Sequence, residues 1–215
     1  MTESVVADVD GLVYRAFDGD RRLATRGPPV YGEPTDGDWR LWDARRSKLA
    51  AAIERGLDPG LAAAAGVLYL GAAAGTTVSH VADVAGRTYA VEFAPGPLAD
   101  LVAAAERRPR LFPLLKDARR PETYAGIVEA NLDVVVQDVA TRGQADVALR
   151  NRRFLADDGR LFLAVKARSE DVTRAPETVF EEVLTRLEAG YDVLRTERLD
   201  PQHTDHLAVL ARPRE

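Results

Sequence analysis

Two sets of residues in this chain have types and spacings that could do chemistry. The first is Gly71, Ala72 and Gly75 with Thr76 and Thr77, followed 21 residues after Gly71 by Glu92. Glycine and alanine let a ligand approach the backbone N–H groups at a helix start. An acidic side chain at that distance commonly accepts hydrogen bonds from the two ribose hydroxyls of an adenosine cofactor. A dinucleotide site asks for three glycines, G-x-G-x-x-G, and this loop carries Gly71 and Gly75, which disfavours a pyrophosphate. An adenosine cofactor without phosphates, such as S-adenosylmethionine, fits better, because its carboxylate can use the helix start while Glu92 takes the ribose. A plain strand-turn-helix without a ligand is the alternative.

The second set comes from composition. Of 29 basic residues only Lys48, Lys116 and Lys166 are lysine. Arginine cannot supply a compact ammonium whose pKa moves, so a surviving lysine can mark a place that needs one, chance retention being the alternative. Asp138 and Lys166 follow neighbouring expected strands and could meet, and Lys48 could share that anionic neighbour. A second cation and desolvation would lower a lysine's pKa while Asp138 would raise it, which leaves the net direction open. The chemistry that wants such a group is alcohol activation, in which a hydroxyl is oriented and loses its proton while attacking an electrophilic methyl.

These residues must be positioned by an alternating pattern of elements. Residues 67–70 read as a buried strand, 71–75 as a tight turn, and the Thr-Thr start with Val78, Val81 and Val84 as a helix. A strand over 87–93 follows, then a helix over 96–108 and a strand over 111–115 with Lys116, Asp117 and Ala118 at its end. A short helix over 122–129 precedes a strong strand over 132–137 that leads to Asp138. A helix over 146–155, a turn at Asp158-Gly159 and a strand over 160–165 lead to Lys166. A helix over 176–189 carries Val179, Phe180, Val183 and Leu187 on one face, and strands over 191–199 and 206–211 close the chain as an antiparallel pair. Ahead of all this, a helix over 41–56 has a plausible cap at Asp43. Its early cations Arg45, Arg46 and Lys48 oppose the helix dipole, which is easier to understand if they face an anion than as a solvated face.

Repeated strand-helix units of this kind imply an α/β fold with a mostly parallel, doubly wound sheet. Residues 1–42 form a separate small antiparallel β unit, with turns expected at Asp10-Gly11, Asp18-Gly19 and Asp36-Gly37 and a break at Gly27-Pro28-Pro29. It is too short to bury a core alone and should pack on the domain formed by 43–215. In such sheets ligands lie beyond the carboxyl ends of the strands. The candidates there are 71–77, Glu92 and Phe93, Asp117 and Ala118, Asp138 and Lys166. Any one of these carboxylates alone would more often cap a loop.

With 215 residues, 46% of them hydrophobic, and no apolar run of the roughly 18–20 residues a membrane span needs, the chain reads as a soluble globular protein. Its first residues lack a basic-then-apolar signal pattern, so a cytoplasmic location is expected. Cysteine is absent, which excludes disulfides and thiolate chemistry, and His80, His203 and His206 are too few for a histidine-rich metal site. The net charge of −5 is unlike that of nucleic-acid binders that work alone, so an RNA substrate would need another component to hold much of it. Arg150, Arg152 and Arg153 could touch RNA or form a solvated face.

The segments RSKLAAAI, VLYLGAAAGTTVSHVAD, YAVEF, DVVVQDVA, VKARSEDVT and DHLAV occur in the order and spacing of fibrillarins, and from about Val30 onward the chain resembles that family's short archaeal form. The resemblance implies a Rossmann-like class I methyltransferase sheet with a small N-terminal β domain. It also implies methyl transfer from S-adenosylmethionine to ribose 2′-hydroxyls of rRNA and tRNA, at sites chosen by a box C/D guide RNA. By matching motifs, the family's Lys-Asp-Lys-His set falls on Lys48, Asp138, Lys166 and His206. The cofactor contacts fall on Thr76, Thr77, Glu92, Phe93, Asp117, Ala118 and the segment Asp138, Val139, Ala140 and Thr141. The implied partners are a Nop-domain scaffold protein and a kink-turn RNA-binding protein, with no membrane. Where the family commonly reads DVAQPxQ, this chain has Thr141 for the glutamine and Arg142 for the proline, and it keeps Gln144. Methylation of another acceptor, such as a protein glutamine, and a non-catalytic scaffold role are the competing readings.

Overall fold

Two-residue Asp-Gly loops favour tight hairpins because both positions tolerate positive φ, and the chain begins with one. The structure, a computed structural model, describes residues 4–5 and 11–214. In it β2 (Leu12–Phe17) and β3 (Asp20–Arg26) pair antiparallel with Phe17 opposite Asp20, and Asp18 and Gly19 between them take φ of 52° and 87°. With β1 (Ser4–Val5), β4 (Thr35–Asp36) and β5 (Trp39–Leu41) they form a five-stranded antiparallel sheet in the order β1-β2-β3-β5-β4. The expected Asp10-Gly11 turn rests on Asp10, which lies outside the described residues.

After helix α1 (Lys48–Glu54), the strands β6 (Val67–Leu70), β7 (Thr88–Glu92), β8 (Leu111–Leu115), β9 (Leu132–Gln137), β10 (Leu155–Lys166), β11 (Tyr191–Arg198) and β12 (His206–Pro213) build a seven-stranded sheet. Its order is β11-β12-β10-β9-β6-β7-β8, and β12 runs antiparallel to both of its neighbours. Helices α2 (Thr76–Val84), α3 (Pro95–Ala105), α4 (Gln144–Asn151), α5 (Ala167–Glu170) and α6 (Pro176–Leu187) complete the crossovers. Side chains alternate across a strand, so the sheet divides the core in two. Val67, Tyr69, Val134, Val136, Phe162, Ala164, Ala208 and Leu210 pack with α1 and α2 on one side. Leu68, Leu70, Val135, Leu161, Leu163, Val165, Leu207 and Val209 pack with α4 and α6 on the other. The α/β fold with a mostly parallel sheet is therefore present. Among the described residues no helix is long and apolar enough to cross a membrane.

Four local expectations need correction. The first helix starts at Lys48, capped by Ser47, whose hydroxyl accepts the Ala50 N–H at 3.1 Å. Asp43 instead heads the turn before it, with its carbonyl accepting from Arg46 and Ser47 and its carboxylate bound to Arg22 and Arg45. Residues 122–129 do not form an α-helix: a single 3-10 turn, Pro121–Thr123, is followed by turns in which the Tyr124 carbonyl accepts from Ile127 and Val128, while the buried Tyr124 hydroxyl is drawn to Asn151 and Ala118. Asp158-Gly159 is no turn but part of β10, where the register against β9 shifts between Leu155 and Arg160. A Cβ on Gly159 would lie 3.0 Å from the Leu132 carbonyl oxygen, so this glycine serves close packing. Finally, α4 begins at Gln144 after Gly143 and gives way to a 3-10 turn at Arg152–Phe154.

The small sheet is joined to α2 by buried polar groups. His80 is fully buried, stacked on Trp42 with ring centroids 5.0 Å apart, with Nδ1 2.6 Å from the Thr25 hydroxyl and Nε2 3.1 Å from the Tyr31 hydroxyl. Burial, with Arg40 and Arg108 adding to it, holds the His80 imidazole well below its ordinary 6.5. An unfolded chain takes up that proton below about pH 6.5 and the folded chain does not, so stability falls as the pH drops. The expected loss is roughly 1 kcal/mol per pH unit below 6.5 from His80 alone. His203 and His206, also lowered by burial, act in the same direction, and Glu54, raised by burial, in the opposite one at lower pH. Urea unfolding between about pH 7.5 and about pH 5.5 checks this, and a flat profile contradicts it.

Candidate active site

The turn after β6 is shaped by close backbone approach. Gly71 has φ +84°, and a Cβ there would run into the carbonyl of Asp138. Its N–H and that of Ala72 both donate to the Val91 carbonyl, at 2.9 and 3.1 Å, so the turn is tied to β7. Glu92, at the end of β7, closes the lacing: one carboxylate oxygen accepts the Ala73 N–H at 2.8 Å and the other the Ala94 N–H at 2.7 Å. A carboxylate oxygen that accepts one bond keeps capacity for a second, so Glu92 can still receive hydroxyls. Gly75, at φ +89°, caps α2, and a Cβ there would touch the Leu101 side chain at 3.2 Å.

Beyond the strand ends lies a cleft of about 430 Å³, a size usual for small-molecule sites. Of the expected cofactor residues, Gly71, Glu92, Phe93, Asp117, Ala118, Asp138, Val139, Ala140 and Thr141 line it. Ala72, Gly75, Thr76 and Thr77 do not; they form the back of the turn and the start of α2. Ala73, Val91, Lys116, Arg119 and Val147 also line the cleft, and of these only Lys116 stood out in the sequence, by its rarity. Phe93 is 67% exposed at the rim, with the Arg119 guanidinium 5.9 Å from its ring. The Arg119 side chain also binds both Asp117 oxygens, at 2.9 and 2.7 Å, and holds that carboxyl below its ordinary range.

The four residues expected to do chemistry share one side of the sheet. Asp138 continues the alternation of Val134 and Val136, Lys166 that of Phe162 and Ala164, and His206 opens that of Ala208 and Leu210, the side against which α1 packs. Lys48, the first residue of α1, places its ammonium 2.9 Å from an Asp138 oxygen, both side chains about a quarter exposed. Lys166 makes no ion pair among the described residues; its backbone stands opposite His206 in the β10-β12 ladder. The sequence allowed two lysines to share Asp138, and the structure gives that pair to Lys48 alone.

The Lys48–Asp138 pair acts on the groups around it. His206 Nδ1 lies 2.7 Å from the Thr204 carbonyl and must donate there, which leaves Nε2 with a lone pair in the neutral ring. Burial first, then the Lys48 charge, holds His206 below its ordinary value, against the pull of Asp138. Tyr69, buried on the same side, has its phenol pushed well above 10 by burial and by Asp138, with a Thr77 hydrogen bond opposing. His203, given no role by the sequence, donates from Nε2 to the Ala44 carbonyl at 2.8 Å, and its ring meets that of His206 edge-on at 5.9 Å. It fastens the β11-β12 loop to the turn that leads into Lys48, a long-range contact with no local signal.

Comparison with known proteins bears on this geometry. The fibrillarin family profile matches residues 10–215. A fibrillarin-like rRNA/tRNA 2′-O-methyltransferase of Halorubrum lacusprofundi is 66% identical over 204 residues, covering 95% of this chain and 96% of that one. The structure of Aeropyrum pernix fibrillarin in complex with natively bound S-adenosyl-L-methionine superposes with a TM-score of 0.85 at 39% identity, covering 98% of both chains. A chain of a fibrillarin/Nop5p complex gives the same TM-score, 0.85, at 40% identity over 89% of this chain and 94% of that one.

Proposed function

The chain belongs to the fibrillarin family, and from that premise we propose that it methylates ribose 2′-hydroxyls of rRNA and tRNA with S-adenosylmethionine, at positions chosen by a box C/D guide RNA. It does so as a subunit of a ribonucleoprotein with a Nop-domain scaffold protein and a kink-turn RNA-binding protein. The observation that carries this reading is the Lys48–Asp138 pair at the rim of the strand-end cleft, with Lys166 and His206 on the same side of the sheet. Relatives named fibrillarin-like rRNA/tRNA 2′-O-methyltransferases, and fibrillarin structures solved with S-adenosyl-L-methionine and with Nop5p, support it. The acidic net charge of −5 agrees with a protein that leaves much of the RNA binding to partners.

The residues present fit the cofactor. Glu92 offers carboxylate capacity for ribose hydroxyls, exposed Phe93 a face for a base, and the turn presents only Gly71 and the small Ala73 to the cleft. Asp117, Ala118 and the segment from Asp138 to Thr141 wall the cleft, with Gly75, Thr76 and Thr77 forming the helix start behind it. S-adenosylmethionine held there supplies an electrophilic methyl group. Lys48 fixes the Asp138 carboxylate, whose remaining capacity accepts the 2′-hydroxyl proton. Lys166 orients that hydroxyl and stabilises the charge growing on its oxygen. His206, neutral at physiological pH, presents Nε2 as an acceptor that orients the ribose.

Transfer of labelled methyl from the cofactor to a guide-matched RNA, with and without the reconstituted partners, tests the reading. Label on the ribose opposite the guide, dependent on guide and scaffold, is the expected result. Label on a protein acceptor but not on RNA, or none at all, contradicts it.

A further inference from the structure

A strand residue needs partners for both its N–H and its C=O, and at Lys166 the sheet has run out of one neighbour. The β9-β10 ladder ends with Leu163 opposite Gln137, three residues before Lys166. Gln144, fully buried at the first position of α4, fills the gap with its side chain. Its Oε1 accepts the Lys166 N–H at 2.9 Å and its Nε2 donates to the Lys166 carbonyl at 3.1 Å. A primary amide carries the same donor and acceptor as a peptide group, so Gln144 acts as one more residue of the missing strand. Gln144 is itself held from two sides. Gln137 Nε2 donates to its carbonyl at 2.7 Å, and the Glu170 carboxylate, just beyond Lys166, accepts the N–H groups of Gly143 and Gln144 at 2.8 and 2.6 Å.

We infer that Gln144 is a positioning residue for the methyl-transfer step, fixing the Lys166 backbone so that its ammonium is delivered to the side of the sheet where Lys48 holds Asp138. The inference rests on the functional reading above and adds to it a residue outside the cleft. Gln144 is absent from the cleft lining and bonds Lys166 through the backbone, so its contribution is to reaction geometry rather than to cofactor affinity. Displacing a reacting group by about 1 Å costs on the order of a hundredfold in rate, which makes a backbone clamp consequential. Thr141 and Arg142, where the chain departs from the family pattern, lie between Asp138 and this clamp and leave it intact.

The test compares Gln144→Met, of similar volume but without either bond, with Gln144→Glu, which keeps an acceptor for the Lys166 N–H and exchanges the amide donor for a carboxyl group that can donate only when protonated. Both are assayed in the reconstituted complex by single-turnover transfer at saturating RNA and cofactor, by cofactor affinity, and by hydrogen exchange at the Lys166 amide. Gln144→Met should lower the rate at least about tenfold, keep cofactor affinity within about twofold and speed Lys166 exchange, with Gln144→Glu intermediate in rate. An unchanged rate in a folded variant, or equal losses of rate and cofactor affinity, overturns the inference. If Gln144→Met does not fold, Gln144→Glu decides by the same criteria. A parent complex that transfers no methyl to guide-paired RNA overturns the functional reading and this inference with it, whereas an active parent matched by its variants overturns the inference alone.

Discussion

Lys166→Ala should lower single-turnover methyl transfer by about a hundredfold or more while leaving cofactor affinity within about threefold. The split follows from placement. Lys166 closes β10 on the side of the sheet that bears Lys48 and Asp138, and it does not line the cleft assigned to the cofactor. The cofactor would keep Glu92, Phe93 and the glycine turn, and the hydroxyl would lose the cation that orients it. Asp138 would stay paired to Lys48, so no buried charge is abandoned and the fold should hold. Lys166→Arg should recover little, because a planar guanidinium cannot take the place of a compact ammonium at a reacting oxygen. Calorimetry for the cofactor and transfer from labelled cofactor to matched RNA measure the two quantities separately. Equal losses in both would mean that Lys166 holds the cofactor, and the assignment of the hydroxyl-orienting role would fail.

How far the sequence carried this site depended on whether the signal was local. Strand ends, the Gly71 turn and the Glu92 spacing are written in short apolar runs and single residues, and the structure gathers most of them around one cleft. Periodicity also put Asp138 and Lys166 at the ends of adjacent strands. It could not say that Lys48 would take Asp138 alone, since that depends on where α1 begins. Asp43 and Ser47 are both good capping residues four positions apart; Ser47 caps α1, while the Asp43 carboxylate accepts the Arg45 N–H at 2.9 Å and pairs with the Arg22 and Arg45 side chains. His203 and Gln144 went unassigned for the same reason. Each acts through a main-chain group far along the chain, Ala44 in one case and Lys166 in the other, and a backbone partner leaves no mark on residue type.

The buried charges between the small sheet and α2 were equally invisible, and replacing Arg40 by methionine should show their weight. Arg40 is fully buried on β5, bound to Glu33 through Nη1, to Asp83 through Nε and Nη2 at 2.8 and 2.7 Å, and to the Ser79 hydroxyl at 3.0 Å. Arg108 reaches the other Asp83 oxygen at 2.9 Å. Removing Arg40 strands Glu33 without its cation in a site with almost no solvent and leaves Asp83 with Arg108 as its one cation beside the Thr25 hydroxyl, a change that costs about 3–5 kcal/mol. For a chain of this size that lowers the melting temperature by roughly 10 °C. Because the cost comes from the carboxylates left behind, Arg40→Met should be less damaging when Glu33→Gln is already present, and urea unfolding of the four proteins in that cycle measures the difference. A loss under about 1 kcal/mol would mean that water reaches these groups. Asp83 sits about two turns along α2 from Thr76, at the end away from the glycine turn. Well below its melting temperature, Arg40→Met should therefore still transfer methyl groups at nearly the parent rate. Lys166→Ala, with its melting point unmoved, should not. The same pair of measurements on both variants separates what holds this fold together from what its strand ends do.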